Sequence, residues 1–336
     1  MDPEVDAKIS RRRLLRSLGA VATGAGALSV ARLIDRHEAG MRAKVCIQRA
    51  ESYDVDLTSV VLDGFARLGV TASELRGKRV LLKPNLVETA LGHPHINTHP
   101  KVVLAVARAF RTLGAEPFVA EGQGHRRDSW LVLEESGMAA ALDEGELPFV
   151  DLNHDEPIER PNAGGLTRLH SLWLPNALLE ADWIVSLPKV KTHHWAGVTC
   201  AMKNFFGVVP GVVYGWPKNV LHHQGIHESI VDINATVRPH FAIADGILGM
   251  DGDGPIMGDP KPLGCLVMSR NLPALDATCV RLMRLNPLGA VYLALASGFL
   301  GPILESNIEQ LGEPIDALAT PFEVLDYPHT RALRDV

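Results

Sequence analysis

The chain has 336 residues, 46% of them hydrophobic and 21% charged, with a formal net charge of −6. That balance describes a packed globular protein, excludes a disordered one, and gives no general affinity for nucleic acid. The four cysteines, Cys46, Cys200, Cys265 and Cys279, form no CxxC pair, so no zinc ribbon and no iron-sulfur cluster is expected, and buried free thiols are the simpler reading.

The run Ser10-Arg11-Arg12-Arg13-Leu14-Leu15-Arg16, followed by a Gly- and Ala-rich stretch to Leu28, resembles a twin-arginine signal, with Leu14 where Phe is usual. A leader over residues 1–40 is expected, carried by the twin-arginine translocase to the periplasm or cell envelope. Membrane contact is expected only through that leader, if it is not cleaved.

From residue 44 onward, strand-like and helix-period runs alternate. Lys44–Ala50 reads as a strand, Leu57–Leu68 as a helix, and Arg79–Leu82 as a strand stopped by Lys83-Pro84-Asn85. Lys101–Leu113 reads as a helix ended by Gly114, and Pro117–Ala120 as a strand opening onto Glu121-Gly122-Gln123-Gly124. Later strands are Trp183–Ser186, Phe241–Ala244 and Cys265–Met268. This is the pattern of a single-domain α/β fold, a mostly parallel sheet with helices on both faces, spanning residues 44–336. Ligands of such sheets sit beyond the carboxyl ends of the strands.

Polar clusters fall at those ends. Lys83, Asn85, Lys189, Lys191, Lys203 and Asn204 lie beside Pro, Gly and His, which implies exposed strand-end cations converging on a small phosphate- or carboxylate-bearing ligand. Any one of these lysines alone reads as a solvated surface charge. His193, with a side chain that titrates near neutrality, is a candidate for proton transfer, with Lys191 beside it. Asp245, read as a strand end, opens a Gly- and Asp-rich loop to Gly258 in which Asp245 and Asp253 are candidate ligands for a divalent cation. His222, His223 and His227, with Glu228 and Asp232, offer a competing transition-metal set, and Asp276 reads as a helix N-cap.

Lys83-Pro84-Asn85, Leu187-Pro188-Lys189-Val190-Lys191-Thr192-His193, Met202-Lys203-Asn204-Phe205-Phe206-Gly207, Asp232, Asp245-Gly246-Ile247, Gly252-Asp253-Gly254-Pro255 and Pro273-Ala274-Leu275-Asp276-Ala277 stand in one order. That series resembles the DUF362 family over about residues 44–285. The resemblance implies the α/β fold and a site at these residues but no reaction. Many relatives carry a cysteine-rich ferredoxin-like segment, which is lacking here. Neither a nucleophile elbow nor a phosphate loop is present, and Glu121–Gly124 supplies only GxG, so lyase, isomerase and hydrolase chemistry all stay open. An enzyme acting on a small anion is the main expectation. The alternatives are a solute- or metal-binding envelope protein without catalysis, and a redox maturation factor.

Overall fold

In the computed structural model, which describes residues 27–124 and 127–334, side chains alternate across each strand and so assign each face of the sheet to its own layer of helices. The run Ser10–Arg16 lies outside the described residues. The chain passes through helix α1 (Ala27–His37), strand β1 (Ala43–Arg49), α2 (Leu57–Arg67), β2 (Arg79–Pro84), α3 (Pro100–Thr112) and β3 (Glu116–Glu121). Next come β4 (Phe149–Asp151), β5 (Pro157–Pro161), β6 (Ser171–Pro175), β7 (Trp183–Leu187), β8 (Lys189–His193) and β9 (Gly197–Thr199). Helices α4 (Ala201–Asn204) and α5 (Ile226–Val237), strands β10 (Phe241–Asp251) and β11 (Asp259–Ser269), α6 (Leu272–Leu282) and β12 (Ile308–Gly312) follow, among shorter helices.

Val45, Ile47 and Leu81 join one apolar cluster, with Ile230 and Ile233 of α5 and Leu275 of α6. Cys46, Val80 and Leu82 join the other, with Val61 and Phe65 of α2 and Val106 and Phe110 of α3. Both faces of the sheet are therefore dry. The sheet runs β12-β1-β11-β10-β7-β2-β3-β4, with β8 added to β10 and β9 to β8. Pairings β12–β1, β10–β7, β10–β8, β7–β2, β2–β3 and β3–β4 are parallel. Pairings β1–β11, β10–β11 and β8–β9 are antiparallel. The mostly parallel sheet with helices on both faces is thus the observed architecture.

Local readings shift in several places. β2 ends at Pro84, the last residue of its ladder, opposite Leu187, two residues beyond Leu82. Asp245 does not end a strand, because β10 runs on to Asp251 and folds back along β11, so antiparallel pairing claims the first half of the stretch that glycines and aspartates mark as a loop. Lys189–His193 is itself a strand. Asp276 is not an N-cap of its own helix, a place taken by Asn271, whose side chain accepts from Ala274 N. It lies inside α6 and caps α4 from across the core, accepting from Ala201 N at 2.7 Å and Met202 N at 3.1 Å. Burial raises its carboxyl to about 6. All four cysteines are buried and unpaired.

The first part of the fold overlaps the span read as leader. Ile34 packs into the α5/α6 cluster, and the buried Glu38 carboxylate accepts from Ser297 Oγ at 2.7 Å, Ile303 N at 2.6 Å, Leu304 N at 3.1 Å and Asn307 Nδ2 at 3.0 Å. No helix among the described residues is long and apolar enough to cross a membrane.

Candidate functional site

Parallel pairing aligns the carboxyl ends of β2, β3 and β7, with Lys83 opposite Ser186 and Leu82 opposite Val119. Lys83 and Glu121 stand one register step apart at the ends of β2 and β3, where their side chains meet. The Lys83 ammonium donates to Glu121 Oε2 at 2.6 Å, Pro84 O at 2.8 Å and Asn204 Oδ1 at 3.0 Å, which uses all three of its protons. Glu121 also accepts from Leu86 N at 3.2 Å and Gly122 N at 2.9 Å. Asn204 Nδ2 donates to Lys83 O at 2.9 Å and Ser186 Oγ at 3.1 Å. A Cβ on Gly207 would stand 2.3 Å from Glu121 Oε1 and 2.6 Å from Lys83 Nζ, so glycine is needed there for close approach.

A second buried pair lies on β8 and β10. Lys189 Nζ donates to Asp245 Oδ2 at 2.6 Å and Tyr53 Oη at 2.9 Å. The same carboxylate accepts from Tyr53 Oη at 3.0 Å, His99 N at 3.0 Å and Ile247 N at 3.3 Å. Lys191, buried as completely, has no carboxylate partner among the described residues: its Nζ donates to Ile96 O at 2.8 Å and Pro255 O at 3.2 Å. Burial, then the charges of Lys203, Lys189 and Lys83, hold its pKa well below the ordinary lysine range.

Beyond these pairs opens a cavity of about 270 Å³, near the lower end of the small-molecule range, which begins at about 300 Å³. Lys203, reaching in from α4, makes no ion pair among the described residues; its Nζ stands 5.1 Å from the centre of the Phe206 ring. Burial, with Lys83 nearby, lowers its pKa to about 8. His193 Nδ1 accepts from Trp195 N at 3.0 Å and Ala196 N at 3.2 Å. Those two donors exclude a proton from Nδ1, so the neutral ring carries its hydrogen on Nε2. Burial, and then Lys203, keep its pKa well below the ordinary histidine value. Asn85 Oδ1 and Thr199 Oγ1, on residues lining the same cavity, are buried without a hydrogen-bond partner.

The expected lysine cluster is thus split. Lys83, Lys189 and Lys191 are not exposed strand-end cations, since each is enclosed and its protons are directed at protein acceptors. Asn204 is likewise spent on Lys83 and Ser186. Lys203, Asn85 and His193 do meet at one cavity. Asp245 and Asp253 share no site: Asp253 sits at the cavity rim against His194 Nδ1 at 3.4 Å, while Asp245 is occupied by Lys189. Among the described residues no group of three or more His, Cys, Asp or Glu side chains is placed to hold a metal ion. Asp232, one turn from Glu228 on α5, instead anchors a loop by accepting from Asn162 Nδ2 at 2.6 Å, Leu166 N at 2.9 Å and Thr167 N at 2.9 Å. His222 lines the cavity and His223 is exposed.

Sequence reasoning missed Lys218 and Thr199. Lys218 follows Gly215-Trp216-Pro217 in a left-handed conformation (φ 69°) and donates to Asn153 Oδ1 and Val209 O, which leaves one proton for the cavity it lines. Burial brings its pKa to about 7. The turn residues before it are the signal that was available.

The family model "Domain of unknown function (DUF362)" matches residues 80–281, less than the 44–285 span expected. The thylakoid-associated protein sll1697 of Synechocystis sp. is 30% identical over 253 residues, covering 74% of this chain and 76% of that protein. Among solved structures, the lactate racemase apoprotein from Thermoanaerobacterium thermosaccharolyticum is matched at a TM-score of 0.39 with 12% identity, over 73% of this chain and 58% of that one.

Breaking the Lys83–Glu121 pair on one side strands a buried charge. Lys83→Met is expected to cost about 3–5 kcal/mol in urea denaturation, and Lys83→Met with Glu121→Leu to recover most of it. A single-variant loss below ~1 kcal/mol would contradict a structural role for the pair.

Proposed function

The chain belongs to the DUF362 family, and on that premise we propose that it binds and transforms a small phosphate- or carboxylate-bearing molecule in the cavity at the carboxyl ends of β2 and β3. The observation that carries this reading is Lys203, a cation directed into the cavity that makes no ion pair among the described residues, the lining carboxylates Glu121 and Asp253 being set against Lys83 and His194. An anion there supplies the missing counter-charge. Lys218 adds a second donor, and Asn85 and Thr199 offer buried polar atoms to a ligand group able to pair with them. His193, held neutral with hydrogen on Nε2, is suited to donate to an oxygen that gains charge during reaction rather than to act as a resting imidazolium. Lys83, Lys189 and Asn204 are positioning residues in this reading, and Lys191 acts through Pro255, whose carbonyl it holds at the cavity wall. Asp245, already bonded to Lys189 and Tyr53, is not used as a cation ligand.

Lys203→Ala is expected to abolish binding of inorganic phosphate and acetate in calorimetry while changing unfolding free energy by less than ~1 kcal/mol. Lys203 is charged below about 8, so affinity is full at lower pH and falls as pH rises through that value. Anion affinity unchanged by the substitution, or rising between pH 7 and 9, would sink the reading.

We propose further that the chain is exported by the twin-arginine translocase to the periplasm or cell envelope, on the strength of Ser10–Arg16. Any cleavage then falls before Ile34, because Ile34 and Glu38 are built into the fold. Arg11→Lys with Arg12→Lys is expected to hold the protein in the cytoplasm on fractionation. Undiminished export would show that the leader is misread.

A further inference from the structure

The cavity has a cationic end and an apolar mouth, and the two ask for different parts of one ligand. At the mouth, Trp195 is 53% exposed and Met257 78% exposed, both on the cavity lining. An isolated exposed apolar side chain carries little information, but two large ones at the rim of a concave site mark surface left for an apolar partner. Between Trp195 and the Lys203 end runs a wall of rings, with Trp195 to His222 at 5.3 Å and His222 to Phe206 at 5.2 Å between centroids. The hairpin loop contributes Pro255 and Ile256 beside Met257.

The charges at the rim narrow the choice. The rim carries the Asp253 carboxylate, half exposed and in contact with His194, and Asp253 would repel a second anionic group placed there. A bisphosphate or dicarboxylate that fills the cavity end to end is therefore disfavoured against a molecule charged at one end only.

We propose, resting on the anion-binding reading, that the ligand is an amphiphilic anion: one carboxylate or phosphate group at Lys203, joined to an apolar body of several carbons lying along Phe206, Trp195 and Met257. The body gives up water on entering, and each methylene the mouth covers tightens binding about fourfold, equivalent to ~0.8 kcal/mol. The mouth thus selects among anions that the lysine end alone cannot tell apart.

The test is calorimetric titration of the full chain with two pairs of probes, acetate against hexanoate and inorganic phosphate against phenyl phosphate. The longer member of at least one pair is expected to bind more than tenfold tighter, and that pair identifies the head group. Trp195→Ala with Met257→Ala is expected to erase the gain while keeping the affinity for the shorter member. Met257→Ser, at an exposed side chain, is expected to lower the gain by itself and keeps the test intact should the double variant fold poorly. Equal affinities within both pairs would overturn the amphiphile and leave the anion site standing. A gain that survives in both variants would overturn the placement of the apolar body. Failure of all four probes to bind would overturn the anion site itself.

Discussion

The ammonium of Lys83, closed in by Glu121, Asn204 and Pro84 O, ties together the ends of two neighbouring parallel strands and the start of the segment that follows β9. A buried lysine is costly unless its charge is matched and its protons are received, and at Lys83 both conditions are met within 3.0 Å. The requirement then propagates: Gly207 must lack a side chain to let the backbone pass the pair, and Asn204 must turn its amide back onto Lys83 O and Ser186. α4 is fixed in the same way from its other end by Asp276, which receives the Ala201 and Met202 amides.

That fixation decides what is left for chemistry. Lys83 and Lys189 are neutralised by their own carboxylates, and Lys191 by position is committed to carbonyls, so these side chains shape the cavity without offering charge to it. Lys203 sits on a helix held at both ends and has no such partner among the described residues. The division separates a rigid, self-satisfied floor from Lys203 and Lys218, cavity-lining cations without a carboxylate partner among the described residues, which is how a preorganised anion site is built at low cost in reorganisation. His193 follows the same logic: two backbone amides fix its tautomer before any ligand arrives.

Much of the fold was legible because short continuous apolar runs, a proline and a few glycines mark strand ends whatever lies opposite them. The core elements β1, α2, β2, α3, β3 and β7 sit within a residue or two of where those marks place them. The site was legible as a set of residues but not as a set of roles. A lysine's fate depends on a partner far along the chain, Glu121 for Lys83 across 38 residues and Asp245 for Lys189 across 56. Glu121 stood in plain view as the first residue of a glycine fragment, yet nothing local ties it to Lys83. The Gly- and Asp-rich stretch after Asp245 misled for a related reason, since a long antiparallel partner outweighs local turn preference. Lys218 was hidden because a single lysine after a turn looks like any surface charge.

The most direct measurement is the titration of Lys203 itself, followed by ¹³C NMR of the lysine side chains and assigned with a Lys203→Arg variant. The account predicts a midpoint near 8 in the free protein and a move to higher pH when phosphate or hexanoate is added, because a bound anion favours the ammonium. A Lys203 that titrates with ordinary lysines, at about 10.4, and does not respond to either anion would contradict it.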